Sequence, residues 1–324
     1  MPHRSGHPAP AAGPPYPRVG LALGPHPVRH GAHPLAGIAL TVAAVACFAV
    51  LDTATKFVTA GVPVLMALWF RYAFQAVSTT AVLLPLRGRA LLRTEHPRFQ
   101  VLRGLLLLAT SLFAFLSLKH MPVGEFTAIV MITPLVITLL AATSLGERVS
   151  PLRWLLVSGG FTGTLIIIRP GTDDFNWALL LPLGLVACNA WFQLLTSRLA
   201  RTENPLTMHF YTGWVGTLGA SLALPFVWTA SLPWTFWAGL TLMGLMGTVG
   251  HFMLILAYQR APAATLTPFL YAQIGFAMLG GWVMFAHVPD AWSFAGIVMI
   301  AICGAAGAWL TVRERRIPVE PVEG

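Results

Sequence analysis

Charge is scarce in this chain. Only 10% of its 324 residues are Asp, Glu, Lys or Arg, whereas a soluble globular protein carries roughly a quarter. That shortage excludes an ordinary water-facing surface. Acidic residues are the rarer sign, 11 against 20 Lys and Arg. In a soluble protein such a basic excess would suggest nucleic acid. Here the basic residues flank hydrophobic runs, so membrane topology accounts for them and no nucleic-acid partner is expected. Cysteine is nearly missing: Cys47, Cys188 and Cys303 all lie inside apolar stretches, which excludes a disulfide framework and a zinc site. The chain also lacks a phosphate-binding Gly-rich loop with Lys-Ser/Thr, a His-Glu-x-x-His pair and a Gly-x-Ser-x-Gly elbow. The acidic pair Asp173-Asp174 falls in a turn with no carboxylate or histidine at catalytic spacing. Neither enzyme chemistry nor a cofactor is expected.

Residues 1–34 hold no acidic residue and no apolar core. They read as a disordered cytoplasmic tail without the h-region of a signal peptide. Its histidines, His3, His7, His26, His30 and His33, have no cysteine or carboxylate nearby, so no metal is expected there.

What the chain has instead is hydrophobic length. Apolar residues make up 56% of it, in stretches matching the roughly 20 residues needed to cross about 30 Å of hydrocarbon. No charge occurs between Glu203 and Arg260, a stretch split into two spans at Ser231-Leu232-Pro233. The pattern predicts an all-α polytopic membrane protein with ten transmembrane helices near 35–59, 63–86, 99–119, 122–143, 151–169, 177–199, 205–228, 234–258, 262–285 and 290–312. Pro63, Pro122, Pro151, Pro205, Pro233 and Pro262 stand at or just before helix starts, where a missing N–H costs little. With the N-terminus inside, sixteen Lys and Arg, Arg103 among them, fall on the cytoplasmic side and only Lys119 and Arg169 outside. Both termini are therefore expected in the cytoplasm.

The chain also repeats itself. Residues 121–151 align without gaps on 261–291, beginning with Met121-Pro122-Val123-Gly124 on Ala261-Pro262-Ala263-Ala264. A weaker echo pairs Val45-Ala46-Cys47-Phe48-Ala49 with Val186-Ala187-Cys188-Asn189-Ala190. The expected organisation is a tail (1–34), a first five-helix repeat (35–170), a second (171–312) and a cytoplasmic tail (313–324). Five helices per half, an odd number, makes the two repeats inverted in the membrane, an architecture with two nearly equivalent states open to either face.

Several motifs carry a family resemblance: Asp52 with Lys56, Phe70-Arg71-Tyr72, Leu102-Arg103-Gly104, Pro122 through Ala128, Pro134, Leu145-Gly146-Glu147-Arg148, Ala261-Pro262-Ala263-Ala264 and Tyr271-Ala272-Gln273. Over residues 35–312 the chain resembles the drug/metabolite transporter superfamily, in its EamA-type branch. It departs from that pattern at Ala286-His287, where members commonly repeat a Gly-Glu pair. The resemblance implies a ten-helix carrier with a central cavity lined by both halves, and the short loops and lack of a cleavable signal fit a bacterial inner membrane. The function expected is secondary transport of a small polar or amphipathic metabolite, amino acid-like, driven by protons or running downhill. Export is the commoner assignment in that branch. Import is the alternative, and a channel or a membrane-embedded enzyme is a more distant one.

The candidate pathway residues are Asp52, Lys56, Arg71, Glu125, Asn189, Gln193, Tyr271 and Gln273. Asp52 and Lys56 are one turn apart, acid before base. They are either a proton or amine site with a tuning lysine, or a structural ion pair. Arg71 suits a carboxylate or phosphate, or Asp52 across a helix interface. Glu125, in the first turn of its helix, is either stabilised by the helix dipole or an outer gate paired with Lys119. Asn189 and Gln193 share a helix face, and the weaker echo sets Gln193 near the place of Asp52. Tyr271, Gln273 and the lone His251 add hydrogen-bonding options. The mechanism expected is rocking of helices 1–5 against 6–10 around a midplane cavity. Small residues on the fifth and tenth helices offer a homodimer contact or, by default, intramolecular packing.

Overall fold

The computed structural model describes residues 34–136, 140, 151–169, 176–199, 202–260, 266 and 269–314. The tails, Glu147-Arg148, Asp173-Asp174 and residues 261–265 lie outside them. Among the described residues all regular structure is helical. The helices are α1 (Pro34–Thr59), α2 (Val64–Arg87), α3 (Pro97–His120), α4 (Val123–Val130), α5 (Pro151–Ile168), α6 (Leu181–Leu199), α7 (Pro205–Ser221), α8 (Trp234–Arg260), α9 (Ala272–Phe285) and α10 (Ala291–Glu314). Among the described residues four segments, Leu35–Thr59, Pro97–His120, Trp177–Thr196 and Trp234–Ala257, are long and apolar enough to cross a bilayer; Val123–Val136, Trp154–Ile168, Ala272–Phe285 and Ala291–Gly307 are shorter.

Boundaries differ from expectation where proline intervenes. The expected helix at 122–143 is interrupted after Val130, with Met131 and Ile132 in a turn before helix resumes at 133. Pro134 has no N–H to give to Val130, and the Thr133 hydroxyl takes that carbonyl instead, at 2.6 Å. The segment expected to run to 228 stops at Ser221 and is followed by a single turn, Leu224–Val227, because Pro225 cannot continue the ladder and disfavours helix in the residue before it.

The helices do not pack half against half. α1 lies along α8 and α9, and α2 along α8; α6 lies along α3 and α4, and α7 along α3. Moving five places along the helix order carries the first group of contacts onto the second. Three further pairings, α2 with α7, α4 with α9 and α5 with α10, each join helices five places apart, and smaller contacts link α1 and α2 to α3 and α4 to α10. Glycines permit the pairing of α5 with α10: a Cβ at Gly163 of α5 would stand 2.9 Å from the Gly296 carbonyl oxygen of α10. The small faces of α5 and α10 are thus used on each other.

At one end, the upper end, α1, α3, α5 and α9 finish while α4, α6, α8 and α10 begin. The two large apolar clusters draw on residues toward that end, such as Val58, Leu118, Phe126, Ile168, Leu185, Leu240 and Ile297. Toward the lower end the described residues give only a small cluster of Ala257 and Leu266 with Ile38 and Leu40. The outward surface is strongly apolar. Trp177, Trp228, Trp234, Trp282 and Trp292 are exposed at the upper end, and Trp154 and Trp309 at the lower. Tryptophans that mark both ends of an apolar surface are the signature of membrane–water interfaces.

Candidate functional site

Helices α1, α2, α8 and α9 bring four polar side chains into an apolar interior, in two pairs. Gln273 Nε2 donates to Asp52 Oδ2 at 3.2 Å, tying α9 to α1. Arg71 Nη2 and His251 Nε2 are 2.9 Å apart, tying α2 to α8. A guanidinium has only donors, so His251 meets it with the Nε2 lone pair and carries its proton on Nδ1. The Phe48 ring lies against His251, with 4.8 Å between centroids. Arg71 is 3% exposed, and its Nη1 has no hydrogen-bond partner among the described residues. A buried donor left open is costly. Asp52, half-buried, feels the Arg71 charge through space without forming an ion pair with it.

Lys56 does not pair with Asp52, despite their helical spacing. Its ammonium donates across to α3, to the carbonyl oxygens of Leu118 at 3.2 Å and Met121 at 2.9 Å, and faces the Phe285 ring. These carbonyls lie at the C-terminal end of α3, where a helix welcomes a cation. Glu125 does not pair with Lys119, which is exposed. It is 5% exposed, and its Oε1 lies 2.9 Å from His287 Nε2. The departure from the resembled pattern is therefore used, since a histidine after α9 meets the carboxylate of α4. Ala286 makes this possible in a left-handed conformation, φ 51 and ψ 25, which turns the chain back at the end of α9.

A cavity of about 260 Å³ opens beside this pair, lined among others by Met121, Glu125, Arg169, His287, Asp290 and Ser293. Arg169 and Asp290 form a salt bridge there. The Ser293 backbone N–H, 2.7 Å from Asp290 Oδ1, together with Arg169, holds the Asp290 carboxyl below the usual carboxylate range. That stabilisation stands above the carboxylate range and fades only as pH falls through the lowered value.

The remaining candidates are placed apart. The ring of Tyr271 lies on Gly304 of α10, with its buried hydroxyl unpartnered. Asn189 and Gln193 are half-buried on α6 with no side-chain hydrogen bond among the described residues. The sequence reading also missed a second polar centre. Arg103, counted as a cytoplasmic charge, is 2% exposed. It donates to Thr196 Oγ1 at 2.8 Å, the Met208 carbonyl at 2.9 Å and Thr212 Oγ1 at 2.7 Å, and stands over the Phe192 ring. Glu203, between α6 and α7, accepts from Thr94 Oγ1 and from the backbone N–H groups of Glu95 and His96 at the start of α3. The one hint in the sequence is that Arg103 opens an otherwise apolar helix.

Among the described residues the arrangement has no nucleophile poised beside a base. It offers buried donors and acceptors between helices, the chemistry of recognition in a membrane. Residues 35–169 match the EamA-like transporter family. Among curated proteins, a riboflavin transporter of Vibrio cholerae is 30% identical over 290 residues, covering 88% of this chain and 97% of that protein. Another riboflavin transporter, of Rhizobium johnstonii, is 32% identical over 276 residues, 82% of this chain and 86% of its own. A solved crystal structure shares the fold with a TM-score of 0.62 at 20% identity, over 86% of this chain and 98% of that one. The chain therefore belongs to the EamA-like transporter family of the drug/metabolite transporter superfamily and is an integral inner-membrane transporter of small molecules, not an enzyme.

Proposed function

We propose that the protein is a secondary carrier for a flat, amphipathic, hydrogen-bonding metabolite of the flavin kind. It would work by alternating access through ten spans arranged as two inverted repeats, residues 35–170 and 171–312, with both termini cytoplasmic and the upper end facing outward. The observation that carries this reading is the juxtaposition of Asp52–Gln273 with Arg71–His251, in which a buried Arg71 Nη1 has no partner among the described residues. A flavin ring presents an N–H between two carbonyls along one edge. Asp52 accepts from the N–H, Arg71 and Gln273 donate to the carbonyls, and Phe48 supplies an aromatic wall. The riboflavin transporters of two bacteria, each similar over most of this chain, support that choice, and neither name states a direction. The same unpaired opposite charges also suit the ammonium and carboxylate of an amino acid-like compound. Direction follows from gradients and coupling, so export and import use one machine.

The interleaved packing supports a revision of the expected rocking of helices 1–5 against 6–10. The moving units are α1, α2, α8 and α9 as one set and α6, α7, α3 and α4 as the other: α8 packs along α1 and α2, α3 packs along α6 and α7, and α2 with α7 and α4 with α9 form the seam between the sets. Both site pairs then travel together on the first set. A ligand that binds only the folded protein raises its stability, by about 2.7 kcal/mol at a hundredfold excess over its dissociation constant. Riboflavin is expected to raise the melting temperature of the detergent-solubilised protein, and the shift is expected to vanish in Asp52→Asn and in Arg71→Ala. A shift with amino acids and none with riboflavin would favour the zwitterionic substrate and reject the flavin.

A further inference from the structure

We infer that His287 is a further residue of the transport machinery: with Glu125 and Lys56 it clasps the upper end shut, and release of the clasp opens the carrier outward. The inference rests on the alternating-access reading above and on three observations made at one level of the bundle. The Glu125–His287 contact of 2.9 Å joins α4 of one helix set to the turn after α9 of the other. The Lys56 ammonium, on α1 of that other set, grips the Leu118 and Met121 carbonyls at the end of α3. Both links cross the boundary between the sets, and the large apolar clusters gather at the same end.

The links that must survive a movement are arranged the other way. Asp52–Gln273 and Arg71–His251 lie wholly within the first set, and the bonds of Arg103 and of Glu203 lie within the second. Separation of the sets at the upper end therefore breaks Glu125–His287, the Lys56 grip and the bond from Trp69 Nε1 of α2 to Ser221 Oγ of α7, but leaves the recognition pairs whole. The neighbouring Arg169–Asp290 bridge joins α5 to α10, which belong to neither set, so it need not break. His287 suits the role by exposure as well as by position. Its side chain is 36% exposed and faces the cavity of about 260 Å³, whereas that of Glu125 is 6% exposed. Water reaches the pair from the histidine side, so the charged contact can be replaced by solvent as the end opens. The left-handed Ala286 aims the imidazole back over α4.

Gln193→Cys, with Cys47, Cys188 and Cys303 replaced by serine, gives a reporter at the half-buried counterpart of Asp52. Its reaction with a membrane-impermeant maleimide is followed from outside in intact cells and from inside in inverted vesicles. Outside labelling is expected to be slow with the clasp intact. It should rise about tenfold in Glu125→Gln and in His287→Ala, the scale of one lost charge-assisted hydrogen bond. His287→Lys keeps a hydrogen-bond donor opposite Glu125 and should remain near the parent rate, which a merely structural histidine would not predict. Equal outside rates in the parent, Glu125→Gln and His287→Ala would overturn the clasp. The same dependence seen only in inverted vesicles would keep the clasp and overturn the orientation. Labelling requires no substrate, so failure of the flavin reading would not alter either result.

Discussion

Arg71 and Arg103 are both guanidinium groups buried among apolar helices, yet they are held for different ends. Arg103 has acceptors at Thr196, Met208 and Thr212 and a ring beneath it, so it braces α3, α6 and α7. Arg71 has His251, the Tyr72 ring and an Nη1 with no partner among the described residues. Arg71→Lys removes the planar fork and should weaken riboflavin binding by about ten- to a hundredfold, matching about 1.5–3 kcal/mol for a charged hydrogen bond, with little change in the unliganded melting temperature. Arg103→Lys should do the reverse, lowering stability and leaving ligand preference alone. Calorimetric titration alongside thermal melts of both variants checks this, and unchanged affinity in Arg71→Lys would remove the case for forked recognition. Sequence spacing singled out Arg71 from its aromatic setting, but it could not separate Arg103 from the solvated arginines nearby. It also set Asp52 beside Lys56, because adjacency along a helix is all that spacing sees. Their actual partners are Gln273, 221 positions away, and the carbonyls at the end of α3.

Elements were most legible where composition acts locally. Long apolar runs with proline at their starts located helical segments close to those observed. Proline inside a run was less legible, since Pro85 is carried within α2 whereas Pro134 and Pro225 go with breaks. At Pro134 the freed Val130 carbonyl is taken by the Thr133 hydroxyl. The end of α9 shows how a residue substitution acts through an element. Ala286 sits at φ 51, with its N–H on the Trp282 carbonyl at 2.9 Å and the His287 N–H on the Gly281 carbonyl at 3.3 Å. Such helix ends favour glycine, and alanine in that conformation carries strain. Ala286→Gly should therefore raise the melting temperature modestly, by the equivalent of about 0.5–1 kcal/mol, while preserving the Glu125–His287 contact. A lower melting temperature would show that the turn is held by something other than its own conformational preference.

For the whole molecule, the internal repeat was the strongest signal in the sequence, and its consequence for packing was the hardest to foresee. Two related halves suggested two rigid bodies. The contacts instead interleave them, so that α1 packs on α8 and its counterpart α6 on α3. A repeat in sequence reports relatedness between segments and carries no record of which segments share a surface. In the proposed mechanism, interleaving keeps Asp52–Gln273 and Arg71–His251 inside one set and puts Glu125–His287 between sets. The most direct test of that account is counterflow of labelled riboflavin into proteoliposomes containing the full-length protein. Vesicles preloaded with excess unlabelled riboflavin should accumulate the label transiently above its equilibrium level, because an alternating carrier exchanges one molecule for another. Entry of the label without an overshoot would contradict alternating access, and absence of entry would contradict the flavin substrate.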